Sequence, residues 1–315
     1  PYEKISGSFR GKDIISLDQF STPDIKILFS HVPKMKDIAR NARPSKILAG
    51  KIVVILFYEP SSRTFGSFST AIKQLGGQTV EILNPQQFSS VAKGETFEDT
   101  IRVFEAYSDA IVLRHPSVGS AMEAAKIAKF VPIINAGDGP GEHPTQTLLD
   151  MYTIFEAFGR LSNLKIAFVG DPLHYRTFHG QFLGLSKYPG NQFYGISTKG
   201  LRMPNEFRNS NYHDIFINMD DLDETLASLK PDVISVGRIP KEYISGDAKK
   251  YSFQITKKTL KNLPPKSIIM HPLPRVGEIL TEVDEDPRAV YLRSQIRNGQ
   301  YVRMALLALV LGGKI

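Results

Sequence analysis

The chain reads as an α/β protein with two doubly wound domains, each a mainly parallel sheet flanked by helices, bridged by interdomain helices. Three observations predict this. Short β-branched apolar runs alternate with segments of helical period. The alternation begins afresh after the Gly-rich loop Gly137-Asp138-Gly139-Pro140-Gly141. At 315 residues the chain can bury two cores of the usual ~100–200 residues each.

In order, Ile52 to Tyr58 is the first strand and Thr64–Leu75 the first helix. Phe65, Phe68, Ile72 and Leu75 fall three, four and three apart, on one helix face, and Gly76-Gly77 supplies the stop. Strand Gln78–Leu83, helix Thr96–Tyr107, strand Ala110–Leu113, helix Met122–Phe130 and strand Val131–Ile134 complete the first set. Thr145–Phe158 is the long bridging helix. The second set has strands at Leu164–Val169, Gln192–Ile196, Val233–Val236 and Ser267–Met270. The final stretch, Val290–Leu311, is helical, and its apolar end Ala305–Leu311 needs a partner. The expected division is 1–144, 145–291, and a C-terminal helix over 292–315 that packs back on the first domain. Pro85–Gly94 and Pro240–Ser252 read as mobile loops.

With 42% hydrophobic and 23% charged residues, the composition is that of a packed globular protein. No run of ~18 apolar residues reads as a membrane span, and the start lacks a secretory signal pattern. The absence of Cys removes disulfides, thiolate zinc sites and a cysteine nucleophile, and is compatible with a reducing, cytoplasmic setting. Because the chain begins at Pro1, an organellar enzyme trimmed of its transit peptide is the alternative. The +7 net charge, 39 basic against 32 acidic residues, comes without a dense Lys/Arg block and points to small anions rather than nucleic acid.

Pro60-Ser61-Ser62-Arg63-Thr64 lies where the first strand hands over to the first helix. Unpaired N–H groups and a partial positive charge mark a helix start, and these side chains add hydroxyls and a guanidinium, so a phosphate would bind there. The plainer reading is that Ser61 or Ser62 caps the helix. Other polar clusters also fall at strand or loop ends, where doubly wound sheets gather ligands. Arg114-His115-Pro116 ends Ala110–Leu113, and His143-Pro144-Thr145-Gln146 opens the bridging helix. His143 is either a helix-start hydrogen-bonder or a donor to a polarised carbonyl oxygen. The loop from Ser89 through Lys93 and Gly94 is either a solvated connector or a movable contributor. Arg176, after strand Lys165–Val169, would lie on the first turns of the next helix near an anion-binding position, a surface ion pair being the alternative, and Arg238 ends Val233–Val236. In His271-Pro272-Leu273-Pro274-Arg275 the two prolines rigidify a turn, consistent with a cis bond before Pro274 and with carbonyl oxygens aimed at a ligand. There is no P-loop, no G-x-G-x-x-G after a strand and no H-E-x-x-H, and His174 and His179 lie five apart, so nucleotide and metal chemistry are disfavoured.

Along essentially its whole length the chain resembles the aspartate carbamoyltransferase (aspartate transcarbamoylase) catalytic chains. The resemblance is carried by Glu59-Pro60-Ser61-Ser62-Arg63-Thr64, Lys93-Gly94-Glu95-Thr96, Arg114-His115-Pro116, His143-Pro144-Thr145-Gln146-Thr147-Leu148-Leu149-Asp150, Arg176-Thr177 and His271-Pro272-Leu273-Pro274-Arg275. Ornithine and acetylornithine relatives place a Cys in the last motif, and this chain has none.

The resemblance implies a carbamoyl phosphate domain followed by an aspartate domain, in a homotrimer with active sites between subunits. It assigns Ser61, Ser62, Arg63 and Thr64 to the phosphate, with Arg114 bridging phosphate and carbonyl oxygen. Thr64, Arg114 and His143 stabilise the oxyanion, and Gln146 and the Leu273 carbonyl receive the carbamoyl NH2. Ser89 and Lys93 reach in from a neighbouring subunit, with Lys93 among the catalytic residues and in contact with aspartate. Arg176 and Arg238 bind the two aspartate carboxylates. No cofactor or metal is implied. The alternatives are a carbamoyltransferase for another amino acid and a catalytically silent scaffold homologue. Regulatory chains or fused pathway enzymes are possible partners. Two departures stand out: where the family has Gln two residues and Arg five residues after Arg238, this chain has Pro240 and Tyr243. Weaker aspartate affinity or altered loop closure is expected.

Overall fold

The computed structural model describes residues 3–41, 44–239 and 252–314. Along the chain run α1 (Thr22–Arg40), β1 (Ile52–Phe57), α2 (Ser62–Gln74), β2 (Gln78–Leu83), α3 (Pro85–Phe88), α4 (Phe97–Glu105), β3 (Ala110–His115), α5 (Ser120–Ile127), β4 (Ile133–Asp138) and α6 (Pro144–Phe158). There follow β5 (Lys165–Val169), α7 (Arg176–Leu185), β6 (Gln192–Ser197), β7 (Tyr212–Phe216), α8 (Leu222–Leu229), β8 (Val233–Val236), α9 (Lys257–Lys261), β9 (Ile268–Met270) and α10 (Ser294–Val310). Two compact units result: Pro1–Leu149 with Arg297–Ile315, and Asp150–Ile296. The divisions fall inside α6 and α10, five residues later in each case than the sequence reading has them.

In the first unit the strands pair in the order β2-β1-β3-β4, all parallel. Val53 through Phe57 of β1 are all buried, as expected of a central strand covered on both faces, and such side chains contribute about 1.5–3 kcal/mol each. Val54, Leu56, Ile111, Leu113 and Ile133 form a core on one face with Ile101 of α4 and Ala121 and Ala124 of α5. In the second unit the order is β7-β6-β5-β8-β9, again parallel throughout. Ala167, Val169, Ile196, Ile234, Val236 and Ile269 pack there with Leu222 and Leu226 of α8 and with Leu260 of α9.

Several elements differ from the sequence reading, each for an identifiable reason. Helix α1 was not anticipated, although Ser21 caps it and Asp24 returns the bond in a reciprocal box. Strand β7, Tyr-His-Asp-Ile-Phe, is an edge strand with polar residues and no apolar run. Strand β4 starts at Ile133 and continues through Asn135-Ala136-Gly137-Asp138, where small and polar residues hide the period. Asn135 is nevertheless wholly buried, its amide donating to the Ile15 carbonyl at 2.9 Å. The stretch read as a mobile loop after β2 contains α3 and a 3₁₀ turn, Ser90–Lys93. The other such loop falls largely on residues 240–251, outside the described residues, as do Pro240 and Tyr243.

The strand orders locate the chemistry. In the first sheet the chain moves from β1 to β2 on one side, then to β3 on the other, so order reverses between β1 and β3. In the second it reverses between β5 and β8. Ligands of doubly wound sheets bind at the carboxyl ends of strands beside such reversals.

Candidate active site

At the carboxyl end of β1, Glu59-Pro60 turns the chain into α2, and Ser61 stands at the helix N-cap with φ −157° and ψ 89°. Its hydroxyl makes no capping hydrogen bond and no acidic residue lies in the first turn. The simple capping role considered for Ser61 is therefore not what its side chain does. Ser62, Arg63 and Thr64 form the first helical turn, where main-chain N–H groups lack intrahelical acceptors and the helix end is electropositive.

Arg114, near the end of β3, is in register with Phe57 of β1, and its carbonyl accepts the Tyr58 N–H at 2.8 Å. Its guanidinium donates Nη1 to the Ala136 carbonyl at 3.1 Å and holds Nη2 3.4 Å from Glu59 Oε2. Burial pulls its pKa down, Glu59 opposes this, and the neighbouring Arg63 charge adds to the lowering. The Arg63 charge thus lies near the Arg114 guanidinium and the N-terminus of α2 at the β1/β3 reversal. The Glu59 carboxylate partly offsets the Arg114 charge, and the arrangement is suited to an anion.

His115, next in the chain, does a different job. Its ring packs edge-on against Tyr58 and Phe97, at 4.6 and 5.3 Å between centroids, and its Nδ1 accepts the Ser117 N–H at 3.1 Å. The Gly-rich loop closes over it. Gly139 donates its N–H to the His115 carbonyl at 2.8 Å, has φ +59°, and would place a Cβ 1.9 Å from the Pro116 carbonyl oxygen. Only glycine fits there. Asp138 ties the loop down by accepting the N–H groups of Gly119 and Glu142, at 3.0 and 2.6 Å.

His143 follows, buried, at the start of α6. Its carbonyl accepts the N–H groups of Gln146 and Thr147, at 2.9 and 3.2 Å. Its main chain therefore serves as a helix start, while ring Nδ1 lies 3.5 Å from Thr145 Oγ1. Gln146 is half-buried on the same turn. Ser89 and Lys93 come off the end of β2, but among the described residues no hydrogen bond joins them to this cluster. The Ser89 hydroxyl donates to the Pro85 carbonyl at 2.7 Å and caps the 3₁₀ turn, and Lys93 is exposed.

In the second unit, β5 ends at Val169, and buried Asp171 accepts the N–H groups of Leu173 and His174 and contacts His174 Nδ1 at 2.9 Å. This ordered turn delivers Tyr175 and then Arg176, the first residue of α7. Across the β5/β8 reversal, Gly237 precedes exposed Arg238; a Cβ on Gly237 would lie 2.5 Å from Tyr175 Cε1. Burial pushes the Tyr175 phenol up, and the charges of Arg238 and Arg176 both pull against that shift. Both guanidinium groups therefore lie within electrostatic reach of one hydroxyl.

After β9, Leu273 has φ +59° and is joined to Pro274 by a cis peptide, as the two prolines suggested. The Leu273 N–H donates to His271 Nδ1 at 2.7 Å. The His271 N–H donates to Gln295 Oε1 at 3.0 Å, and buried Asp150 accepts from Gln295 and Gln181, each at 2.8 Å. Arg275 of the same motif is structural: it forms a two-pronged pair with Asp284 and lies 5.5 Å over the Tyr291 ring. Among the described residues no group of three or more His, Cys, Asp or Glu could hold a metal ion, and no helix is long and apolar enough to cross a membrane.

Residues 12–156 match the family model described as aspartate/ornithine carbamoyltransferase, carbamoyl-P binding domain, and residues 162–310 match its Asp/Orn binding domain. The chain belongs to the aspartate/ornithine carbamoyltransferase family. It is 43% identical over 307 residues to the aspartate carbamoyltransferase catalytic subunit of Methanocaldococcus jannaschii, covering 94% of this chain and 96% of that one. It is 44% identical over 318 residues to the multifunctional protein pyr1-3 of Dictyostelium discoideum, covering 98% of this chain and 14% of that much longer protein. The Trypanosoma cruzi aspartate transcarbamoylase structure in complex with carbamoyl phosphate and aspartate superposes with a TM-score of 0.87 at 36% identity, covering 99% of both chains.

Within this carbamoyltransferase fold, sequence reasoning missed Glu59 as the counter-charge of Arg114 and missed the buried pair of His271 and Glu278. It also missed Arg303, 4% exposed within α10. The signal was present: Arg303 is a lone cation in the otherwise apolar run Tyr301–Leu311.

Proposed function

We infer that this chain transfers the carbamoyl group of carbamoyl phosphate to the α-amino group of L-aspartate, giving N-carbamoyl-L-aspartate and phosphate, a step of pyrimidine biosynthesis. The observation that carries this is the pairing of Arg63 with Arg114 at the β1/β3 reversal, beside a helix start whose Ser61 hydroxyl is not spent on capping.

The reading assigns the phosphate to Ser61, Ser62, Arg63 and the first-turn N–H groups, and the carbonyl oxygen to Thr64, Arg114 and His143. Gln146 takes the carbamoyl NH2, an assignment the family resemblance shares with the Leu273 carbonyl. Arg176 and Arg238 take the aspartate carboxylates. The neutral amine of aspartate attacks the carbonyl carbon, negative charge develops on the carbonyl oxygen, and the tetrahedral intermediate collapses by breaking the C–O bond to phosphate, which leaves with the proton that the attacking nitrogen gives up. No covalent intermediate with the protein forms. Positioning and oxyanion stabilisation supply the rate, single donors being worth about 3–4 kcal/mol.

A homotrimer goes with this reading, in which, as the family resemblance implies, Ser89 and Lys93 reach in from a neighbouring copy, and so does a cytoplasmic location. The fused organisation of the Dictyostelium relative supports pathway enzymes as partners. The deciding experiment is an assay of carbamoyl-aspartate formation by wild type and Arg114→Ala, with the oligomer's mass measured alongside and calorimetric titration with N-(phosphonacetyl)-L-aspartate. Turnover with aspartate, a loss of about 10²–10³-fold in the variant and a trimer mass are expected. A wild type that neither turns over nor binds the analogue would leave the scaffold alternative.

A further inference from the structure

Arg303 is buried in α10 of the first unit, and the transfer reading leaves it without a task. Its guanidinium lies 5.0 Å over the ring of Phe68 and donates Nη1 to Ser67 Oγ at 2.9 Å and Nη2 to Thr145 Oγ1 at 3.3 Å. Ser67 and Phe68 belong to α2, the helix that begins with Ser62-Arg63-Thr64. Thr145 lies on the first turn of α6, with Oγ1 3.5 Å from His143 Nδ1. One buried side chain therefore joins the helix behind the anion cluster to the hydroxyl beside His143.

The direction of the Arg303–Thr145 bond follows from what each group can do. A guanidinium has donors only, so Thr145 Oγ1 accepts from Arg303. The Thr145 hydroxyl proton is then turned away from the guanidinium, and His143 Nδ1 is placed to accept it. An imidazole that accepts at Nδ1 carries its proton on Nε2 and can donate only from there.

We propose that Arg303 is a positioning residue which, through Thr145, holds His143 as the neutral Nε2–H tautomer, so that its ring donates a hydrogen bond instead of accepting one. The relay deepens the transfer reading and rests on it for one point only, that the bond goes to the carbonyl oxygen of carbamoyl phosphate. Because α10 also anchors α2 through Ser67, the same guanidinium sets the His143 donor and the phosphate turn against one frame.

The test is 15N NMR of the full-length protein labelled at histidine, with His143 resonances identified by their loss in His143→Asn, alongside steady-state kinetics. Wild type should show Nδ1 at an unprotonated shift and Nε2 at a protonated one. Thr145→Val keeps the side-chain shape but removes the hydroxyl. It should give mixed tautomers and lower kcat about tenfold, with the carbamoyl phosphate KM changed less than about twofold, since the lost bond is strongest in the transition state. Thr145→Ser, which restores the hydroxyl, should recover both the tautomer and the kcat. Arg303→Met should mix the tautomers too; if it fails to fold, the threonine pair decides alone. A wild-type His143 protonated at Nδ1, or a folded Thr145→Val with an unaltered tautomer and kcat, overturns the relay. A correct tautomer in an enzyme that forms no carbamoyl-aspartate would instead overturn the transfer reading.

Discussion

His271 Nε2 lies 2.7 Å from Glu278 Oε1, with both side chains almost completely buried. The other ring nitrogen accepts the Leu273 N–H, and Glu278 Oε2 accepts the Val276 N–H at 2.9 Å, so the pair clamps the His-Pro-Leu-Pro turn from both ends. Burial pushes the Glu278 carboxyl up, but the hydrogen bonds from His271 and Val276 outweigh it and hold the group below its ordinary value. A depressed carboxyl contributes stability above its unfolded pKa, about 4.3, and loses it as pH falls through the lower folded value. Glu278→Gln should therefore cost about 1–3 kcal/mol at pH 7 and flatten the acid limb of the stability profile. Urea unfolding across pH 3–7 checks this; parallel profiles for variant and wild type would contradict it.

Ser61→Ala separates two uses of one hydroxyl. A true capping serine costs about 1 kcal/mol when replaced by alanine. Because the Ser61 side chain makes no capping bond, the variant should unfold within about 0.5 kcal/mol of wild type while its carbamoyl phosphate KM rises. Thermal unfolding and initial-rate kinetics give the two readouts, and a lower Tm with an unchanged KM is the result that counts against the phosphate role.

Gly139→Ala should disturb the site through the backbone. Its left-handed φ and the 1.9 Å approach of a Cβ to the Pro116 carbonyl oxygen leave no room, so the loop between β4 and His143 has to shift. A destabilisation above about 2 kcal/mol with loss of kcat is expected, since strain and a backbone clash act together. Full activity in the alanine variant would mean that the loop does not position His143.

Arg238→Ala should act on one substrate only. Loss of a charge-assisted bond to a carboxylate raises the aspartate KM about ten- to a hundredfold, while the carbamoyl phosphate KM stays near wild type. Varying each substrate in turn tests this. A matched rise in both constants would remove Arg238 from the aspartate site.

Much of this was legible beforehand where signal and structure are both local. Strand β1 is an unbroken apolar run, α2 has a three-four-three stripe, and the polar donors between them could only sit at a strand-to-helix turn. Where local pattern and burial part company, the reading failed. Strand β7 is a polar edge, β4 carries a buried asparagine satisfied by a main-chain carbonyl far away in sequence, and Arg303 is a cation inside an apolar run.

Residue order alone determined the alternation of strands and helices, the electropositive helix start at Ser62-Arg63-Thr64 and the family motifs, because periodicity, capping and turn chemistry act over a few neighbours. Strand order decided the rest. It brings Arg63 and Glu59 near Arg114, sets Tyr175 within electrostatic reach of Arg238, and hangs Thr145 and Ser67 on one guanidinium. Those contacts join residues scattered along the chain, and through-space charge and burial leave no trace in local pattern.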